Sequence, residues 1–441
     1  MTKFSFSVFM LSFVFMSLNL KAQIKTFITE VDSGYAKTSV NTAIFRQNAL
    51  TTFRDTQFIA FYDDKGYVIL GKRKINPKGI SEEKFITVKT PFKMIKPYDA
   101  HNVISIAVDG DGFLHLAFDH HNSPLRYLKS TAPFSLQMKE IKKMVTDNPN
   151  AKEHEVTYPE FYNFTNGDLL FVYRSVGNTS TINYYETKTQ KWHRIVTNLF
   201  ENHAMLRAYW QITVSEDDVI HVSWLWREVS FDPKTNHGIY YAKSADYGKT
   251  WQTVDGDTIR PVFLRREMKP VKEIPQNTNL INQTSMTTDK YDRPYIATYY
   301  RGDDSITNYH LIYYDGKEFQ DITLGNRKTD FELAGMGTLS IPISRPRLIT
   351  DGKKIYYFVR DKEQDSKIAV YYTSIKKKGL KPFRYENLTE NSYEAWEPCL
   401  DTELWKTHKK IHLFVQKTFQ KNNEGILNEK PTMVKVLEIK N

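Results

Sequence analysis

Cysteine is almost absent: the 441-residue chain has one, Cys399. An intramolecular disulfide is therefore excluded, and packing and hydrogen bonds must hold the fold. Cys399 lies in Trp396-Glu397-Pro398-Cys399 with no identifiable base, so it reads as a small buried hydrophobe and not as a nucleophile. Long apolar runs are missing beyond the first twenty residues, which leaves nothing to cross a bilayer. No amphipathic helical stretch stands out. H-E-x-x-H, C-x-x-C and EF-hand loops are absent, and so is G-x-S-x-G. Nothing in the spacing demonstrates a metal, although scattered histidines with Cys399 could hold one structural ion. A long Lys/Arg stripe is also lacking. The densest run is Lys376-Lys377-Lys378, and Lys409-Lys410 is only a pair, which argues against nucleic acid as a partner.

What is present begins with a leader. Lys3 gives a positive start, Phe4 to Leu18 is apolar with only serines interrupting, and Leu20-Lys21-Ala22 places a small residue before Gln23. Residues 1–22 therefore read as a signal peptide and 23–441 as the mature chain, secreted or periplasmic. The alternative, an uncleaved anchor, is disfavoured because the run is short for a span. No cysteine follows it to carry a lipid. The net charge is +10, and losing Lys3 and Lys21 leaves 59 basic against 51 acidic side chains. A basic exported chain suits an anionic partner such as a sulfated or uronic polysaccharide.

Aromatic residues make up 14% of the chain and follow a pattern. A turn with Asp, Gly or Lys precedes a short alternating strand near Gln57, Gly112, Gly167, Asp218, Arg293, Lys353 and Lys409. Period-2 alternation indicates half-buried strands. Seven units at a spacing of about 50 to 75 residues match propeller blades. The prediction is an all-β, seven-bladed β-propeller in a single domain, with a long loop around Arg260 to Asn279. A two-sheet sandwich is the competing fold. Ser244-Ala245-Asp246-Tyr247-Gly248-Lys249-Thr250-Trp251 matches the Asp-box S-x-D-x-G-x-T-W, a structural turn that supports the propeller.

Candidate chemistry gathers in a few stretches: Asp99-Ala100-His101-Asn102, Phe118 to Pro124, Val156 to Glu160, and Phe171 to Ser175. Arg207-Ala208-Tyr209-Trp210 and Trp224-Leu225-Trp226-Arg227 form a weaker set. Removing the C5 proton of a uronate requires its carboxylate to be neutralised, which arginine does in a bidentate way. It also requires a base for C5 and an acid for O4. Histidine suits either near neutral pH, whereas tyrosine acts as a base only if cations lower its pKa of about 10. His, Tyr and Arg with few carboxylates fit elimination better than hydrolysis, which uses two carboxylates. The candidates are His101, His121, Tyr158 and Arg174, with Asn102, Arg207, Tyr209 and Arg227 as substrate contacts. His120 and His121 are adjacent, so at most one faces a ligand; His121 is preferred. His115 and His221 sit within apolar strands and read as satisfied core residues.

The stretches DAHNVISIAVDGDGFLHLAFDHHNSPLRYLKS, VTYPEFYNFTNGDLLFVYR and RAYWQITVSEDDVIHVSWLWRE resemble BNR-like repeat proteins. Within these, Asp99 to Glu228 resembles the ulvan lyases of polysaccharide lyase families 24 and 25, family 25 in preference. The resemblance implies a seven-bladed propeller that cuts ulvan, a sulfated rhamnose–uronate polymer, without a catalytic cofactor. It further implies that His101 and His121 are active-site histidines, Tyr158 the active-site tyrosine and Arg174 the carboxylate-neutralising arginine. His101 and Tyr158 would exchange protons with C5 and O4, His121 would share that work or assist neutralisation, and Tyr158 would serve both transfers if the groups share a face. A monomer is expected. Two other classes stay open at this stage: a sialidase-like glycoside hydrolase on the same fold, and a non-catalytic glycan-binding propeller.

Overall fold

Each alternating segment found in the sequence becomes the second strand of an antiparallel sheet in the computed structural model. The structure describes residues 24–440 except 44, 46, 47, 377 and 378. The expected leader, residues 1–22, lies outside them. Seven sheets of four or five strands follow one another in chain order, the architecture of a seven-bladed β-propeller. The second strands are Thr56–Tyr62, Leu114–Phe118, Leu169–Ser175, Ile220–Arg227, Pro294–Arg301, Lys354–Asp361 and Ile411–Val415. Apart from a residue or two at an end, such as Lys354, each is almost wholly buried because both faces pack against neighbouring blades. That double burial explains near-continuous Val, Ile, Phe, Tyr and Trp runs in these strands.

The ring closes on its own ends. Lys25–Gly34 pairs antiparallel with Thr432–Lys440 in the register Lys25↔Lys440, so the first strand is the outer strand of the last blade. Between the third and fourth blades, Val172, Ile182, Val222, Trp224, Trp226 and Trp251 form one buried cluster. Burying each such side chain is worth roughly 1.5–3 kcal/mol. The Asp-box supplies Trp251. Asp246 accepts from the Thr250 amide at 2.9 Å, and the Trp251 indole donates to the Gly248 carbonyl at 2.9 Å. Gly248 has φ +92°, a conformation that explains glycine there.

Two features depart from the sequence reading. A short helix, Thr402–His408, inserts before the second strand of the seventh blade. Asp401 caps it by accepting from the Leu404 amide at 2.9 Å. Seven residues are two turns, too few to show a helical period. The long loop expected at Arg260 to Asn279 is present between the fourth and fifth blades. A second long connection, 325–346, joins the fifth and sixth blades without regular structure. The core histidines behave as expected. His115 bonds Asp109 at 3.0 Å and Tyr127 at 2.6 Å, and His221 bonds Tyr241 at 2.7 Å. Among the described residues, no helix is long and apolar enough to cross a membrane.

Candidate active site

Strand pairing brings the sequence candidates into register. His121 starts a three-residue strand, His121–Ser123, that adds to the inner strand of the third blade, Val156–Asn163. Thr157 pairs with His121 on one side and with Arg174 on the other. Residues directly opposite across a ladder share a face, so His121 and Arg174 flank Thr157 on one side of the sheet. The register then slips between Thr157 and Glu160, and Tyr158 adopts φ +56°. A side-chain-bearing residue in the left-handed region is disfavoured, and more so before proline. Bulges of this kind re-aim side chains next to active sites. Here the bulge turns the Tyr158 ring under Arg174, whose guanidinium carbon lies 4.9 Å from its centroid.

The two histidines form a stacked pair with centroids 4.1 Å apart and planes 21° apart. Asp99 receives both: His101 Nδ1 lies 2.8 Å from Oδ1, and His121 Nδ1 lies 2.6 Å from Oδ2. His101 Nδ1 also lies 3.0 Å from Glu424 Oε1. Both Nδ1 atoms are turned to carboxylate, and both rings line the cleft. Burial works against charge on either ring, but Asp99 and Glu424 together outweigh it at His101 and raise its pKa. At His121 burial prevails, helped by the charges of His101 and Arg174, and the pKa falls. Asp99 resists its own burial through these two hydrogen bonds, which hold its carboxyl well below the usual range. The two rings are thus shifted in opposite directions, His101 toward the protonated form and His121 toward the neutral one.

Across the cleft lies a guanidinium cluster. Arg207 and Arg227 are directly opposite on adjacent strands of the fourth blade, an arrangement of like charges that destabilises a sheet. Arg227 donates to Tyr209 Oη at 3.1 Å, to Asn282 at 2.9 Å and to Asn236 at 2.7 Å. Arg174 donates to Asn122 at 3.5 Å and also acts on the Tyr209 hydroxyl. Among the described residues neither arginine has a carboxylate partner, and Arg174 Nε is buried without a bond. Burial pushes Tyr158 up to about 12 despite Arg174, so it stays a protonated phenol. Burial also acts on Tyr209, but Arg227, Arg174 and Arg207 overcome it and lower its pKa. No aspartate or glutamate lines the cleft among the described residues.

Six of the sequence candidates therefore converge on one cleft: His101, His121, Tyr158, Arg174, Tyr209 and Arg227. Two do not line it. Asn102 is buried and donates to the Lys96 carbonyl at 2.9 Å, so its amide shapes the loop beneath. Arg207 donates to the carbonyls of Leu206 and Ala204 at 2.7 and 3.1 Å, and reaches the cleft only through its charge. His120 is buried, accepting from the Arg126 amide at 2.8 Å, and faces away as adjacency demands. The sequence reading missed Arg345, which is paired with Glu397 at 3.1 Å and lines the cleft, and the Gly335–Leu339 wall. The one signal for that wall was a stretch of 22 residues without alternation.

Asp99, His101 and His121 are the one group of three metal-type ligands found among the described residues. Both of their Nδ1 atoms sit at hydrogen-bonding distance from a single carboxylate.

Residues 56–327 match the family described as BNR repeat-containing family member, well over half of the chain. The chain belongs to that family. It is also similar to the short isoform of an ulvan lyase from Alteromonas sp. (strain LOR), at 26% identity over 203 residues. That match spans 41% of this chain and 38% of the relative. Among solved structures, a polysaccharide lyase family 25 ulvan lyase superposes with a TM-score of 0.61 at 13% identity, covering 93% of this chain and 95% of that one. Polysaccharide lyase Uly1 superposes with a TM-score of 0.63 at 16% identity, covering 95% and 100%. At these identities the likeness concerns the fold. A further structure of the family 25 enzyme, described as bound to -[GlcA(1-4)Rha3S]-, superposes with a TM-score of 0.62 at 14% identity over 93% of this chain and 95% of that one.

Proposed function

We propose that the cleft is the active site of a polysaccharide lyase that cleaves ulvan by β-elimination at the uronic acid. The observation that carries this reading is Arg174: a guanidinium with no carboxylate partner among the described residues, placed over Tyr158 and paired, like His121, with Thr157. An unpaired charge held this way awaits an anion. A uronate carboxylate fits it and is neutralised by it, which acidifies C5. The proton exchanger expected alongside Tyr158 is His101, but its pKa is raised, and His121, whose pKa is lowered, suits the base better. Its Nε2 takes the C5 proton, the electron pair forms the C4–C5 double bond, and the C4–O4 bond breaks. Tyr158, still protonated, gives its proton to O4. His101 keeps a positive charge beside the developing enolate. The products are an unsaturated uronyl end and a free hydroxyl.

The lack of carboxylates lining the cleft among the described residues disfavours a hydrolase, which needs a pair of them. The guanidinium cluster and the basic mature chain suit a sulfated, uronate-bearing substrate met outside the cytoplasm. Incubation with ulvan tests the reading: ultraviolet absorbance should grow in step with reducing ends. Reducing ends without absorbance would indicate hydrolysis, and neither signal would leave a binding protein.

A further inference from the structure

Glu424 lies in the polar turn Asn422-Asn423-Glu424-Gly425 of the seventh blade, more than 300 residues from the histidines in sequence. Its carboxylate nonetheless serves two distant segments, 99–101 and the wall at Thr338. Oε2 accepts from the Ala100 amide at 2.9 Å. Oε1 accepts from the Thr338 amide at 2.5 Å and lies 3.0 Å from His101 Nδ1. Its neighbours clamp the same wall: Asn423 accepts from the Met336 amide at 3.2 Å, and Asn422 accepts from the Ser340 amide at 2.7 Å. Glu424 itself has φ +66° and Asn423 φ +61°, a costly backbone for residues with side chains. A Cβ at Gly337 would lie 3.0 Å from Glu424 Cγ, so the wall packs against this carboxylate with no room to spare.

We propose that Glu424 is a positioning residue that fastens the Gly335–Leu339 wall of the cleft to His101, so that the proton on His101 and the closed form of the wall depend on one another. This inference rests on the lyase reading for its consequence, but not for its geometry. The carboxylates facing His101 are Asp99 on its own segment and Glu424 from the seventh blade. Stacked on it is His121, with Tyr158 at 5.7 Å and Phe45 at 5.4 Å between centroids. Thr338 Oγ1 lies 3.5 Å from its Nδ1, Arg174 acts on the pair through His121, and Arg345 lies over Phe45. Of these, only Glu424 touches both His101 and the backbone of the wall. Losing it removes one of two carboxylate supports for the imidazolium, the acceptor of the Ala100 amide and the wall's anchor at Thr338.

The test is Glu424→Gln in the otherwise unchanged mature protein. Nuclear magnetic resonance of the imidazole nitrogens should show His101 titrating about one pH unit lower. Exchange of the Thr338 and Ala100 amides should quicken. On ulvan, kcat should fall about tenfold, with the alkaline limb of the rate profile moving down alongside the titration. Should Glu424→Gln not fold, Glu424→Asp carries the same readouts, with a smaller shift of His101 and the same quickened exchange. An unmoved His101 titration in the folded variant overturns the proposal, as does a rate loss that is uniform with pH. The titration needs no substrate, so a wild type inert on ulvan would sink the lyase reading while leaving this one to be decided.

Discussion

His101 and His121 stack face to face at 4.1 Å, yet they share the two oxygens of one carboxylate, Asp99. Two adjacent imidazolium rings repel, so the arrangement holds one proton more firmly than two. Rate should therefore climb as pH rises through the lowered His121 value, which frees its Nε2. It should fall as pH passes the raised His101 value, where the imidazolium is lost. A kcat/KM profile on ulvan should be bell-shaped, with limbs on either side of the ordinary histidine value of about 6.5. A profile flat across that range would refute the assignment.

Asp99→Asn should cost about 100-fold in turnover, since both rings lose the acceptor that fixes their tautomer. The same carboxylate also affects stability. Its folded pKa lies below its unfolded value, so its contribution is complete above about pH 4 and is lost as pH falls through the folded value. Unfolding midpoints of wild type and Asp99→Asn should differ at neutral pH and converge in strong acid.

Arg174→Ala removes the charge that meets the uronate and should lower kcat/KM about 10³-fold. Tyr158→Phe removes the proton donor and should cost at least about 10²-fold. Both variants should unfold near the wild-type temperature. Near-normal turnover in either would take that residue out of the reaction.

Glu160 offers a check away from the chemistry. It is fully buried, with its carboxyl pushed up to about 8 by burial, against weaker opposition from Tyr162 and Arg347. A raised folded pKa means full stability below the unfolded value, progressively lost as pH climbs toward 8. Glu160→Gln keeps an acceptor for the Tyr162 hydroxyl, now at 2.7 Å. Its thermal midpoint should gain on wild type between pH 5 and 9. A difference that does not change with pH would show that the carboxyl is already ionised in the fold.

The fold was legible because its signal is repeated. Seven copies of an alternating strand, each ending in a turn, leave little room for another architecture, and the Asp-box at Ser244 to Trp251 reinforces them. Local chemistry was legible where a residue broke the pattern of its own strand, as Arg174 does at the end of an apolar run. Asn102 misled because its neighbour His101 lines the cleft while its own amide turns the other way. Arg345 and Glu424 could not be read from sequence. Each sits in a turn or connection with nothing periodic about it, and its meaning comes from blades that meet only when the ring is closed. The Thr402–His408 helix escaped for want of length.

That closure has a practical side. Lys25 and Lys440 are paired neighbours at the rim of the last blade, so the first and last of the described strands lie side by side. A short flexible linker could join them, and the chain could be reopened at an exposed turn such as the one at Asp315 to Lys317. The circularly permuted protein would keep every blade whole. It would also free the outermost strand of the seventh blade from having to wait, as the first segment made, for the last one to arrive.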